Sequence, residues 1–406
     1  MSRALGRRLA RLPLYRLRYL STRPPAVAVV TPLNNPALSY LPAHCKAEFL
    51  LGENLKELLA YGPRLADAEA LLWIPPGSPA VLRELVRGGH LPNLKWVHGF
   101  YAGIDPIAAF AREELVPAKV PLSNGRGAFS SSLAEWSICA AMHFIKQIPR
   151  CMANRRARKW DKFVMGELRG LTLGLLGSGD IATATARLGK AFGMRTVALR
   201  RNARKPDTSG CFDLILGPYD GPVLPAHKKA LFEQCHVVVC TLPGTPETFH
   251  FVGAREFDAM LPGAVFVSLG RGVAVDELAL DAALRAGKLG GAALDVFEVE
   301  PLPAQSPLWD PIHGERLLIS AHNADYTETC EWTVLGSRAR HLCPLPLHRP
   351  HPSPPLCVAP LSFLSWHRSS RVSTDFKLGW EVWQKNLDAF LRGEPPVTPV
   401  DPAAGY

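Results

Sequence analysis

The chain has 406 residues, with 46 Lys and Arg against 36 Asp and Glu, and its formal net charge is +10. This length favours two to three domains, and 47% hydrophobic with 20% charged residues is typical of a globular protein. No apolar run is long enough for a membrane span, and nine cysteines without a C-x-x-C pair argue against a disulfide framework and a zinc ribbon. We therefore expect neither a membrane partner nor a metal site.

The positive charge is concentrated in two segments. Residues 1–23 contain seven Arg and no acid, and residues 338–373 contain five Arg and no acid. Without them the charge is 10 − 7 − 5 = −2, so the body of the chain is nearly neutral. A nucleic-acid-binding protein needs its cations on one folded face, and this distribution therefore argues against nucleic acid as a partner.

The N-terminal segment is typical of a targeting peptide. Its Arg and Leu recur at helical spacing, the first acid of the chain is Glu48, and Arg18-Tyr19-Leu20-Ser21 resembles a mitochondrial processing site. We expect residues 1–20 to be a transit peptide and the protein to be mitochondrial. The alternatives are a plastid address, or a disordered basic tail on a cytoplasmic protein.

The first elements along the chain are apolar runs at residues 26–30 and 71–74, which predict strands of a smaller parallel sheet. A stronger pattern follows at residues 171–199. An apolar strand (171–176) enters a glycine turn, a helical segment runs from 182 to 192, and a second strand follows (194–199). This is the order of a dinucleotide-binding unit.

The glycine turn supplies the first candidate cofactor-binding residues. Gly177 permits the tight turn, and Gly179 lets the backbone approach a pyrophosphate at the helix N-terminus. Asp180 is an awkward member of the turn because its charge opposes a phosphate. The candidate residues of the turn are Gly177, Ser178, Gly179, Asp180 and Ile181.

The second strand of this unit ends in Arg200-Arg201-Asn202-Ala203-Arg204, where NAD-binding proteins carry an acid for the ribose hydroxyl. Arg binds a 2′-phosphate in bidentate fashion, and an acid would repel it. Arg200 and Arg201 therefore predict that NADP is preferred over NAD. The alternative is a solvated basic loop.

Three further strands end in polar loops. The strand at 236–240 leads to Leu242, Pro243 and Thr248, and the next delivers Arg271 between two glycines. Asp295 and Glu300-Pro301 follow, and a last apolar strand delivers His322. Together with Trp96–Asp105 and Ser123-Asn124-Gly125, these motifs resemble the D-isomer-specific 2-hydroxyacid dehydrogenase family, over about residues 90–330 and more weakly over 376–406.

The resemblance implies a role for each candidate residue. Arg271 binds the carboxylate and carbonyl oxygen of a 2-oxo acid, His322 donates the proton, and Glu300 favours the protonated imidazole by its opposite charge. The backbone amides of Ala102 and Gly103 cradle the substrate carboxylate. Asp295 contacts the nicotinamide carboxamide, Asn124 lies between the domains, and Leu242, Pro243 and Thr248 line the cofactor site. Ala321 and Ser268 depart from the family pattern, which has Pro and Asn at these two positions.

The resemblance also implies the fold and the activity. We expect an α/β protein with two doubly wound parallel-sheet domains, in which a Rossmann NAD(P)-binding domain (139–322) is inserted in a discontinuous flavodoxin-like substrate domain (24–138 and 323–406). The Pro-rich residues 338–373 interrupt the second part, as a disordered insertion or a gene-model artefact. The protein is expected to be a homodimer, through an arm at 150–165, that reduces glyoxylate or hydroxypyruvate to a D-2-hydroxy acid. A phosphoglycerate dehydrogenase-like enzyme and a corepressor-like or inactive dinucleotide-binding protein are the alternatives.

Overall fold

The computed structural model describes residues 23–42, 45–218, 222–327 and 374–402. The expected transit peptide at residues 1–20 and the Pro-rich segment at 338–373 therefore lie outside the described residues. Among the helices within these ranges, none is long and apolar enough to cross a bilayer.

The first sheet is formed by five parallel strands, β1 (Ala26–Val30), β2 (Glu48–Gly52), β3 (Ala70–Trp73), β4 (Trp96–Gly99) and β5 (Leu122–Asn124). Their spatial order is β2-β1-β3-β4-β5, which is the flavodoxin-like order. The helices connecting them are α1 (Leu55–Leu59), α2 (Pro63–Ala66), α3 (Pro79–Arg87), α4 (Ala108–Phe110) and α5 (Val116–Ala118). Helices α6 (Ser130–Ile145) and α7 (Ile148–Arg156) lead to the second sheet.

The second sheet is formed by seven parallel strands, β6 (Thr172–Leu176), β7 (Arg195–Leu199), β8 (Leu214–Leu216), β9 (Val237–Cys240), β10 (Val265–Ser268), β11 (Gly291–Leu294) and β12 (Leu317–Ile319). Their order is β12-β11-β10-β9-β6-β7-β8. Read from β8, this is the Rossmann order, whose direction reverses between β6 and β9. The connecting helices are α8 (Asp180–Ala191), α9 (Pro225–Phe232), α10 (Ala254–Ala259) and α11 (Glu277–Arg285).

The central strands are apolar on both faces because helices cover both faces of each sheet. Every residue of β6 and β9 is buried. Leu176 pairs with both Leu199 and Cys240, so β6, β7 and β9 end at the same edge. The loops that follow these strands are thereby brought side by side.

The last described helix, α12 (Thr374–Leu391), returns to the first sheet. Its buried side chains Phe376, Trp380, Trp383 and Leu387 pack in one cluster with Val27, Val29 and other residues of that sheet. Trp380 Nε1 also donates a hydrogen bond to Ala37 O at 2.7 Å. The predicted fold class, with doubly wound sheets of flavodoxin-like and Rossmann order, is confirmed. The domain boundaries drawn from the sequence stay a prediction.

Candidate active site

Four loops at the carboxyl ends of strands carry the candidate catalytic and substrate-binding residues. Gly103 follows β4 of the first sheet, while Arg271, Glu300 and His322 follow β10, β11 and β12 of the second. The carboxyl group of Asp325 interacts electrostatically with both Arg271 and His322. Arg271 and His322 therefore both lie within electrostatic reach of one carboxyl group, and Arg271 also contacts Asp105 of the first sheet.

The guanidinium of Arg271 lies against the predicted substrate loop. A side chain built on Gly103 would meet Arg271 Nη2 at 1.9 Å, so only glycine permits this close approach. Arg271 Nε and Nη2 donate to Asp105 Oδ2 at 3.1 and 3.0 Å, and Nη1 donates to Gly270 O at 3.0 Å. Asp105 thus places a carboxylate on the guanidinium edge that a substrate carboxylate would use.

His322 and Glu300 form the second part of the site. His322 Nδ1 lies 2.7 Å from Glu300 Oε2, and Glu300 Oε1 accepts the Phe297 N–H at 3.0 Å. Because a carboxylate accepts from Nδ1–H, Nε2 is left as the ring nitrogen for a substrate. The His322 side chain is 42% exposed, which gives it access both to the cleft and to protons from solvent.

Asp295 holds the loop that carries His322. It is 1% exposed, and its Oδ1 accepts from Ser320 Oγ at 2.7 Å, Asn323 N at 3.0 Å and Ala324 N at 3.2 Å. The His322 N–H donates to the Asp295 carbonyl at 2.9 Å. These bonds make Asp295 a positioning residue for His322, and its contact with a nicotinamide carboxamide stays a prediction.

The glycine turn between β6 and α8 has the geometry that a dinucleotide needs. Gly177 has φ +106°, a conformation that favours glycine. The helix begins at Asp180, two residues before the start predicted from the sequence. A side chain built on Gly179 would meet no protein atom within 4 Å, so there is room for a pyrophosphate beside the first N–H groups of α8. Ser178 and Ile181 are half-buried beside this space.

Arg200, at the end of β7, has two donors that find no partner within the part of the chain that the structure describes. These donors, Nε and Nη2, are buried, which fits an anion such as a 2′-phosphate. Burial alone would raise the pKa of the nearby Asp207, but hydrogen bonds from Ser209 and the charge of Arg200 hold that pKa below its usual value. Arg201 is exposed. A hydrogen bond with Thr245 is the main cause that lowers the pKa of Glu247, and the charge of Arg201 lowers it further.

The loop after β9 lies beside the glycine turn at the switch point of the sheet. Thr248 Oγ1 donates to Pro243 O at 2.5 Å and accepts the Thr245 N–H at 2.9 Å, so the hydroxyl holds the loop together. Leu242 packs on the core of the domain. The contacts of Leu242, Pro243 and Thr248 with a cofactor stay predictions.

Known proteins with this arrangement identify the family. Residues 138–324 match the family model of the NAD-binding domain of D-isomer specific 2-hydroxyacid dehydrogenases. The glyoxylate reductase of Korarchaeum cryptofilum is 30% identical over 239 residues, which are 57% of this chain and 67% of that protein. The chain belongs to the D-isomer-specific 2-hydroxyacid dehydrogenase family. The family predicted from the sequence motifs is confirmed.

Two further relatives bear on this family member. The D-3-phosphoglycerate dehydrogenase of Methanocaldococcus jannaschii is 29% identical over 284 residues, or 70% of this chain, and the match spans only 50% of that relative. A solved structure of a D-isomer specific 2-hydroxyacid dehydrogenase family protein from Aeromonas salmonicida subsp. salmonicida aligns with a TM-score of 0.63 and 26% identity. That alignment covers 93% of this chain and 99% of the other.

Three charged residues near the candidate active site were not among the sequence candidates. Asp105 pairs with Arg271, Arg126 pairs with Asp180, and Asp325 interacts electrostatically with both Arg271 and His322. Burial, the largest effect, raises the pKa of Asp325 despite the nearby cations. Asp105 is the last residue of the Trp96–Asp105 motif, and Asp325 stands three positions after His322, so their charge beside a strand end was a usable signal. Nothing in the sequence indicates the partner of Arg126.

Proposed function

We propose that this chain is a reductase that transfers a hydride from NADPH to a small 2-oxo acid, glyoxylate or hydroxypyruvate, and yields a D-2-hydroxy acid. The proposal rests on one arrangement. The Arg271 guanidinium lies against Gly103, His322 is paired with Glu300, and the Asp325 carboxyl lies within electrostatic reach of both Arg271 and His322. A fixed cation and a proton donor beside a dinucleotide turn are the groups that carbonyl reduction requires.

Substrate binding and proton transfer are performed by different residues of the site. Arg271 and the amides of Ala102 and Gly103 bind the carboxylate, and in doing so displace Asp105 from the guanidinium. Reduced nicotinamide, when bound, supplies the hydride to the carbonyl carbon. As the C=O double bond becomes a C–O single bond, the oxygen takes the proton from His322 Nε2. Glu300 stabilises the imidazolium before this transfer, and the exposed ring then takes up a new proton from solvent.

The preference for NADP over NAD rests on Arg200. Its buried Nε and Nη2 have no hydrogen-bond partner among the described residues, and a 2′-phosphate would satisfy both. Replacing Arg200 and Arg201 by Asp should therefore reverse the preference in kcat/KM toward NADH. An unchanged ratio of NADPH to NADH would contradict this assignment.

A phosphorylated substrate is the second candidate, because a phosphoglycerate dehydrogenase is among the relatives. The substrate loop argues against it. Residues 98–105 contain one histidine, His98, and one acidic residue, Asp105, but no Lys or Arg that could bind a phosphate. His98 is buried, and burial lowers its pKa to about 3, so it supplies no positive charge for a phosphate.

The nicotinamide absorbance band tests these functions directly. We expect the purified protein to oxidise NADPH with glyoxylate or hydroxypyruvate, more slowly with NADH, and least with 3-phosphohydroxypyruvate. Faster oxidation with the phosphorylated acid would favour the second candidate. A folded protein that binds NADPH but does not oxidise NADPH or NADH with any of these acids would instead be a dinucleotide-sensing or inactive protein.

We further propose a homodimer through the arm at residues 150–165. Its apolar side chains are unusually exposed, with Trp160 at 99% and Val164 at 88%, and a surface of this kind marks an interface. Light scattering should give twice the chain mass. The double change Trp160→Asp and Val164→Asp should give a monomer, while a monomeric wild type would contradict the proposal.

A mitochondrial location is proposed from the Arg-rich, acid-free residues 1–23. A reporter fused behind these residues should be imported and processed after Leu20. A variant with Arg7, Arg8 and Arg11 changed to Glu should remain in the cytosol. Import of the wild-type fusion into plastids, or no import at all, would contradict this location.

A further inference from the structure

Arg126 and Asp180 form an ion pair between the two sheets, beside the dinucleotide turn. Arg126 follows β5 of the first sheet, and Asp180 is the first residue of α8 behind β6 of the second. Arg126 Nε lies 3.4 Å from Asp180 Oδ2, with side chains 46% and 52% exposed. Such an exposed pair adds little stability, so its position calls for another explanation.

Asp180 places a negative charge where a bound dinucleotide places its pyrophosphate. The open side of Gly179 and the N-terminus of α8 favour an anion at this point, while the Asp180 carboxylate opposes it. A turn that binds phosphate beside an acid needs a cation close by. Arg126 brings that cation from the opposite sheet, on the side of the substrate.

Arg126 is held at this place by its own backbone. Its N–H donates to Asn124 Oδ1 at 3.2 Å, and Asn124 Nδ2 donates to Ala102 O at 2.6 Å. Asn124 is 3% exposed, so these bonds are sheltered from water. The same buried amide therefore links the position of Arg126 to the loop that carries Gly103.

We propose that Arg126 is a cofactor-binding residue supplied by the substrate side of the cleft, and that its guanidinium both neutralises Asp180 and binds the pyrophosphate of NADPH. The inference rests on the proposed function, since it requires a dinucleotide in the turn. Arg126 performs no chemistry on the substrate. Its loss should weaken cofactor affinity and leave the 2′-phosphate contacts of Arg200 unchanged.

Calorimetric titration of the full chain tests this role without turnover. Arg126→Ala should raise the Kd for NADPH about 10- to 100-fold, the range for a lost hydrogen bond to a charged group. The Kd for 2′-AMP, which has the 2′-phosphate but no pyrophosphate, should not change. Arg87→Ala is the matched control, because Arg87 ends helix α3 of the same domain and pairs with Glu113 and Glu114, and it should bind both ligands like wild type.

The same titrations in an Asp180→Asn background separate the two roles of Arg126. If the guanidinium binds phosphate, Arg126→Ala still weakens NADPH binding there. If the loss disappears in that background, Arg126 serves only Asp180 and the proposal is wrong. Equal NADPH affinity of Arg126→Ala and wild type, or a parallel loss for 2′-AMP, would also overturn it. A folded wild type that binds neither NADPH nor NADH would overturn the proposed function together with this inference.

Discussion

At the scale of single residues, the 2.7 Å contact between His322 Nδ1 and Glu300 Oε2 is central to proton donation. We expect Glu300→Gln to lower kcat for glyoxylate reduction about 10- to 100-fold, because the amide no longer stabilises the imidazolium. Steady-state kinetics with NADPH and glyoxylate measure this loss, and a variant with the wild-type kcat would contradict the role of Glu300.

The buried His98 makes a second prediction, about stability and pH. Burial lowers its pKa from 6.5 to about 3, so between these values the folded state binds fewer protons than the unfolded state. The stabilisation is fully present above pH 6.5 and is lost as the pH falls through this window, by at most about 1.4 kcal/mol per pH unit.

Urea denaturation at several pH values measures this slope. His98→Asn should make the free energy of unfolding less dependent on pH between about pH 6.5 and 4. His90→Asn, at a partly exposed histidine, should keep the wild-type slope. Parallel slopes for wild type and His98→Asn would show that His98 is not held neutral in the folded protein.

Some site residues could be predicted because ligand and catalytic residues of parallel sheets lie at the carboxyl ends of the strands. Arg271 and His322 were found in this way. The pairing of Arg271 with Asp105 was not, because 166 positions separate the two residues and their contact depends on how the two sheets meet. The pair of Arg126 with Asp180 could not be predicted either, because it also depends on how the two sheets meet.

At the scale of elements, local signals were sufficient for the β6–α8–β7 unit. Its glycine turn, apolar strands and helical segment are consecutive in the chain, so no distant contact was needed to predict them. The docking of α12 is different. Its apolar residues recur at helical spacing, but only the structure shows that Trp380 and Trp383 pack against Phe49, with ring centroids 5.8 and 5.1 Å apart.

This docking leads to a prediction for α12. Trp383 is fully buried, and Trp383→Ala should lower the free energy of unfolding by about 3–5 kcal/mol, as expected for a large aromatic side chain lost from a core. Lys385→Ala, at an exposed position of the same helix, should change it by less than about 0.5 kcal/mol. Equal stability of the two variants in denaturant titration would show that α12 does not pack on the first sheet in solution.

At the scale of the whole molecule, the two sheets meet through charged contacts on both sides of one cleft. Arg271 of the second sheet reaches Asp105 of the first, and Arg126 of the first reaches Asp180 of the second. Each pair occupies an arginine that a ligand anion can use, the substrate carboxylate in one case and the cofactor pyrophosphate in the other. Ligand binding should therefore replace these contacts within the cleft.

If Arg271 and His322 act at one site, their contributions to catalysis are coupled, and a double-mutant cycle on kcat/KM for NADPH-dependent glyoxylate reduction measures this coupling. We expect Arg271→Gln and His322→Asn each to lower kcat/KM at least about 100-fold in a folded protein that still binds NADPH. The double variant should fall little further than the worse single variant, because residues that act as a unit are not additive. Fully additive losses, or a single variant with the wild-type rate, would contradict a shared site.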